Sequence, residues 1–340
     1  MSVKKLSQKQ LDSWVSAVIQ DRKVYGVKAK GDRFAFGPLD SASELRLDYD
    51  VTILPPKKYF QPQSEVIARF QKGESYESVV DKEPFVLFGV HPYDLVAIGQ
   101  MDQVFEVDNP DIHYLARRNA ATIVATDVQR PSKNVFASSM NTAHVEEGFD
   151  VLVTKVEGGY VVEAKTDKGE ALLALAGEVA EATPSDLKLR EQVWKHNDNG
   201  LAEHKLSCLP TDLPRVLAKS QDNPVWKEKA ELCYSCGSCN LVCPTCYCFD
   251  VQDDVDWNMQ AGERRRSWDG CLLSEFAIVA GDHNFRPKRE QRFRHRYYRK
   301  GKYLYDKLGQ IACVGCGRCV TACTADIANP VEIFNRCLEG

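Results

Sequence analysis

The pattern CxxCxxCxxxC occurs twice in this chain of 340 residues, at Cys233, Cys236, Cys239 and Cys243 and again at Cys313, Cys316, Cys319 and Cys323. Gly and Ser inside each tetrad let the backbone wrap around an inorganic core. The repeat therefore predicts that two loops, about seventy residues apart, fold against one another. Soft thiolates suit iron–sulfur cores, and the metal deprotonates the thiols it binds. Pro244 follows the first tetrad, whereas Thr324 stands at the matching place after the second.

In two-cluster ferredoxins the fourth cysteine of each run ligates the other cluster. That rule assigns Cys233, Cys236, Cys239 and Cys323 to one [4Fe–4S] cluster, and Cys313, Cys316, Cys319 and Cys243 to a second. Each fourth cysteine is expected at the start of the following helix. Gly237, Gly315 and Gly317 are expected to let backbone amides approach sulfur. Structural zinc is the alternative reading, because it too uses four ligands with cysteine pairs at CxxC spacing. It gives no reason for three evenly spaced cysteines and a fourth, repeated.

Of the thirteen cysteines, only Cys208 precedes residue 233, so the thiols divide the chain in two. The start, MSVKKLSQKQ, lacks the pattern of a signal peptide, and no apolar run approaches the roughly 20 residues a membrane span needs. A cytoplasmic location is expected, where dense cysteine more often means metal than disulfides. The net charge of −4 offers no general attraction for nucleic acid. Neither GxGxxG nor GxxxxGK[ST] occurs, so no nicotinamide or nucleotide site is expected on this chain.

The fold class expected is α+β, with an amino-terminal α+β docking or scaffold domain over 1–222 and a helical two-cluster domain over 223–340. Leu11, Trp14, Val15, Val18 and Ile19 recur at helical spacing within 7–20. Strands are predicted at 24–29, 33–36, 85–90, 121–127, 149–156 and 159–164, the last two as a hairpin. Helices are predicted at 169–182 and 185–198. The proline-bearing stretch 209–224 reads as a linker, and Asn223 with Pro224 as the start of a helix ending at Cys233.

The stretches CNLVCPTCYCFD, WDGCLLSEFAIVAGDHNFRP, RFRHRYYRK and CVGCGRCVTAC resemble the iron–sulfur beta subunits of cytoplasmic nickel–iron hydrogenases, the sulfhydrogenases, a family that also includes an iron–sulfur subunit of anaerobic sulfite reductase. The likeness continues through LFGVHPYDLVAIGQMDQVF and YLARRNAATIVATD, and is most specific from about residue 230 to 323. The long spacer resembles the helical two-cluster domains of fumarate reductase and heterodisulfide reductase subunits. The resemblance implies two [4Fe–4S] clusters, no catalytic site on this chain, and electron transfer between a flavin subunit and a catalytic subunit. FAD and NAD(P) would then lie on the partner. The catalytic subunit implied first is a nickel–iron hydrogenase, with sulfite reductase and heterodisulfide reductase complexes as alternatives. Relatives carry cysteines in the segments matching HPYDL, ATDVQRP and NVFASSM; this chain has none there.

Cys246, Cys248 and Cys271 fall outside both tetrads, and buried apolar packing is weighed for them against a third cluster or a redox disulfide. A chain that reduces disulfides or sulfur compounds directly is the reading from another class; it would need an open iron position or an exposed low-pKa thiol. Cys208 and Cys337 have no partner spacing. The basic, aromatic run from Arg286 to Lys302 is read as a helix whose arginines face the clusters or an acidic partner, or else as a solvated face. His91 and Asp94 in HPYD are read as structural.

Overall fold

The computed structural model describes residues 2–74, 76–202 and 204–339. Eight strands form its main sheet, in the order Ala180–Glu181, Ser2–Leu6, Gly159–Ala164, Val151–Val156, Ala121–Thr126, Phe85–Val90, Val24–Lys30 and Arg33–Pro38. From Val151–Val156 to Val24–Lys30 the neighbours run parallel. Phe85–Val90 and Ala121–Thr126 are buried at every residue, as central parallel strands covered on both faces must be. Helix Gln8–Asp21 packs Trp14, Val15 and Val18 on one face of the sheet. Ser7 and Gln10 close a capping box at its start, Ser7 N donating to Gln10 Oε1 at 2.9 Å. The other face takes Leu95, Ile98, Met101 and Phe105 of helix Pro92–Glu106, and Tyr114 of helix Ile112–Ala120.

Two expectations are corrected by the fold. The helix expected over 169–182 is Asp167–Leu173 followed by a 3-10 turn, Ala174–Ala176. Gly177, at φ +69°, turns the chain away, and Ala180–Glu181 instead pairs with Ser2–Leu6. The expected linker contains the turn Pro210–Asp212 and helix Leu213–Lys219, which buries Leu213 and Leu217. Its prolines occupy first turns, where no amide partner is required, so they start these elements and do not interrupt them.

A second sheet has no counterpart among the predicted strands. Strands Phe249–Val255 and Ala261–Trp268, from the spacer between the tetrads, form a hairpin whose inner strand pairs with Ser64–Gln71, which pairs in turn with Glu77–Ser78. Arg266 is buried in this sheet, donating to Glu65 Oε1 from Nη2 at 2.7 Å and pairing with Asp111. The hairpin thus joins segments on either side of residue 222.

Apart from a two-stranded antiparallel ribbon of Ile278–Val279 and His283–Asn284, the rest of the carboxy-terminal region is built of helices and loops. Val225–Leu232, Arg289–Tyr298 and Pro330–Glu339 surround Trp226, Phe293, Tyr297, Ile333 and Phe334. The fold is α+β, a sheet domain followed by a helical region that carries both tetrads. Among the described residues, no helix is long and apolar enough to cross a membrane.

Candidate iron–sulfur centre

Both tetrads adopt one local design. Helix Val225–Leu232 ends at Cys233, the backbone turns through Ser235 (φ +54°) and Gly237 (φ +74°), and a single helical turn, Ser238–Leu241, carries Cys239. In the second copy Gly315 (φ +70°) and Gly317 (φ +73°) lead into Arg318–Thr321, which carries Cys319. The two short helices pack on each other. It is therefore the third cysteine that lies on a helix, and Cys243 and Cys323 follow its end; expecting the fourth at a helix start is corrected, because the left-handed glycine begins the helical turn earlier. Backbone amides do reach sulfur: Ser235 N donates to Cys233 Sγ and Ile327 N to Cys323 Sγ, each at 3.4 Å.

Gly315 and Gly317 serve a further purpose. A Cβ on Gly315 would lie 2.7 Å from the Phe136 carbonyl, and one on Gly317 would lie 2.2 Å from Asn134 O. Only a bare backbone lets the second tetrad seat against segment 134–137 of the sheet domain, where Phe136 N donates to Gly315 O at 2.8 Å.

Cys243 leaves its own tetrad and lines one pocket with Cys313, Cys316 and Cys319. Cys239 sits within electrostatic reach of Cys319, Cys323 and Cys233. Cys236 is exposed, whereas Cys316 and Cys319 are buried, so the first loop meets solvent and the second lies inside. Among the described residues, no three His, Cys, Asp or Glu side chains converge tightly enough for a single metal ion.

The basic run forms helix Arg289–Tyr298 and a π-helical turn, Arg299–Tyr303. Arg292, Arg296 and Lys300, at i, i+4 and i+8, form a buried stripe on it. Arg292 donates to Ser235 Oγ at 3.3 Å, in the first tetrad. Arg296 lies between the tetrads, with Nη2 on Cys239 O at 3.2 Å and its Nε and Nη1 buried without an N or O partner. Lys300 donates to Thr245 Oγ1 at 2.7 Å, and that hydroxyl donates to Ala312 O at 2.6 Å. Burial pushes the thiols of Cys239 and Cys313 up to about 12. Burial works against the Lys300 ammonium, yet negative charge on Cys243 and Cys246 holds it above its ordinary value. Cys239 and Cys313 therefore ionise when a cationic core replaces the proton, whereas a hydrogen bond from Cys246 and the charges of Lys300 and Arg296 hold the Cys243 thiol well below its ordinary value. The donor set, with an orphaned guanidinium aimed at it, fits an anionic multi-iron core.

The HPYD segment holds this centre from outside. Arg318, between Cys316 and Cys319, pairs with buried Asp94 and donates from Nη2 to Thr52 Oγ1 at 2.9 Å. His91 stacks on Tyr49 with ring centroids 3.8 Å apart, its Nδ1 2.7 Å from the Tyr93 hydroxyl. Cys337 is buried and Cys208 half-buried in the helical core. Sequence reasoning missed Lys57, which donates from a buried Nζ to Cys246 O; no local pattern marks it, because its partner lies 189 residues away.

Residues 232–327 match a family model described as a 4Fe-4S dicluster domain. The chain is similar to sulfhydrogenase 2 subunit beta of Pyrococcus furiosus, with 36% identity over 321 residues that cover 94% of this chain and 93% of that protein. No solved structure matches. With that extent of identity and a dicluster match centred on the two tetrads, the chain belongs to the sulfhydrogenase beta-subunit family.

Proposed function

We propose that this chain is an electron-transfer subunit in which Cys233, Cys236, Cys239 and Cys323 hold one [4Fe–4S] cluster and Cys313, Cys316, Cys319 and Cys243 hold the other. The observation that carries the reading is the crossing of Cys243 into the pocket of the second tetrad. When bound, the clusters supply one-electron carriers at close separation, with potentials set by hydrogen bonds, charge and burial. Arg292, Arg296 and Lys300 place three cationic heads along the line from the first tetrad to the second, offsetting the negative charge of thiolate-bound iron. The buried second tetrad is shielded from water. The first opens outward beside exposed Leu232 and Tyr234, which provides an edge for a partner.

The partners proposed are a subunit that binds flavin and reacts with NAD(P), and a nickel–iron hydrogenase as the catalytic subunit; sulfite reductase and heterodisulfide reductase complexes are the alternatives. Residues 1–222 would act as the scaffold and 223–340 as the relay, in the cytoplasm. The full chain, prepared without oxygen and reduced chemically, should accept electrons and turn over neither hydrogen nor sulfur compounds. Turnover of a disulfide or polysulfide by the isolated chain would replace the relay with a reductase.

A further inference from the structure

Cys246, Cys248 and Cys271, which belong to neither tetrad, line a single pocket. The spacer hairpin explains how. Its outermost pair is Phe249 with Trp268, and Asp269 N donates to Cys248 O at 3.1 Å, so the two ends of the hairpin carry Cys248 and Cys271 to the same place. Cys246 is fixed from the sheet domain by Lys57 on its carbonyl, and the next residue by Gln61 Nε2 on Tyr247 O at 3.2 Å. Asn240 Nδ2 donates to Cys271 Sγ at 3.2 Å, an amide-to-sulfur bond of the kind seen in both tetrads.

Charge around this pocket is unbalanced. The Lys57 and Lys300 side chains are buried and Arg299 is half-buried. Their hydrogen bonds and ring contacts run to Cys246 O, Trp268, Thr245 and Tyr247, none of which is a carboxylate. Cations withdrawn from water need an anion nearby. Sulfur of Cys243 and Cys246 answers the Lys300 charge, while Lys57 and Arg299 have no carboxylate partner among their hydrogen bonds. The pocket's cavity volume, about 20 Å³, equals that of the pocket ringed by Cys243, Cys313, Cys316 and Cys319.

We propose that Cys246, Cys248 and Cys271 hold a third iron–sulfur cluster, with Lys57, Arg299 and Lys300 offsetting its negative charge. Three thiols release one proton each to solvent as three sulfur–iron bonds form from supplied ferric and ferrous iron and sulfide, taken in the oxidation states that the core contains. The core is either a three-iron one or a four-iron one whose last iron takes a non-cysteine ligand. Its three cysteines are other than the eight of the two-cluster relay, Lys300 stands between the two sites, and the proposal extends that reading by one carrier.

The test is a count of iron, acid-labile sulfide and zinc per full-length chain, prepared without oxygen and loaded with iron and sulfide. Two clusters account for roughly eight irons. The expected result is about eleven or twelve with matching sulfide, falling by about a quarter to a third in a Cys248→Ala, Cys271→Ala double variant whose two tetrad signals persist in the paramagnetic spectrum. About eight irons in the unaltered chain, or one zinc without extra sulfide, overturns the third site and leaves the relay standing. Iron near zero overturns both. If the double variant does not fold, the count on the unaltered chain decides alone.

Discussion

Arg318 sets both terminal nitrogens of its guanidinium on the carboxylate of Asp94, each at 2.6 Å, with neither side chain exposed. The arginine comes from the second tetrad and the aspartate from the first turn of helix Pro92–Glu106, so one buried pair ties the cysteine loop to the sheet domain. Asp94→Asn leaves the guanidinium without its counter-charge, and a broken buried pair costs about 3–5 kcal/mol. The expected outcome is a lower thermal midpoint together with loss of the second-tetrad cluster signal. A double change to well-packed apolar residues should recover much of the stability, because it leaves no orphaned charge.

Crossed ligation makes a separable prediction. Cys243→Ala should remove about four irons and the signal of the cluster held mainly by the second tetrad, while Cys323→Ala should remove that of the first. Paramagnetic spectra of the two reduced variants check it. If each substitution bleached the cluster of its own tetrad, the ligand assignment would be reversed.

Arg296 is the cation at the junction, with Nε and Nη1 buried and without an N or O partner. Taking away that charge should make an added electron less welcome on both cores. Arg296→Met is expected to lower both midpoint potentials by on the order of 100 mV, and Arg296→Lys to restore part of the drop. A redox titration followed spectroscopically measures both values, and unchanged potentials in the Met variant would remove Arg296 from any tuning role.

Asp127 offers a pH test remote from the cysteines. Burial raises it to about 6, against hydrogen bonds from Thr154 Oγ1 at 2.6 Å and Trp194 Nε1 at 3.0 Å. The folded chain therefore holds this proton more tightly than the unfolded chain does. The stabilisation is complete below the ordinary carboxyl value of roughly 3.9 and is lost as pH rises through about 6. Between about pH 5.5 and 7.5 the site should lose about 1 kcal/mol, a slope absent from Asp127→Asn. Unfolding midpoints of both proteins at those two values decide it.

The cysteine tetrads are legible in the sequence because ligand spacing is a local constraint written in consecutive residues. Central strands such as Phe85–Val90 are legible for the related reason that burial on both faces leaves an unbroken apolar run. The spacer hairpin is not. Phe249–Val255 is exposed along its whole length, so its alternate Phe249, Val251 and Val255 mark no buried face, and Ala261–Trp268 contains three consecutive arginines. Their pairing is enforced from a distance, by Arg266 with Glu65 and Asp111. HPYD carries no sign of which group it supports, since Arg318 lies 224 residues from Asp94, beyond any local pattern.

The sheet shared by Ser64–Gln71 and the spacer hairpin also governs how the chain can be made. During synthesis the amino-terminal part emerges with Ser64–Gln71 lacking the neighbour on its long edge until residue 268 has left the ribosome. A truncated product ending near residue 222 would display that open edge permanently, inviting self-association through strand addition. Nascent chains should thus be most vulnerable to aggregation just before the spacer is translated, a window in which a chaperone would have to act.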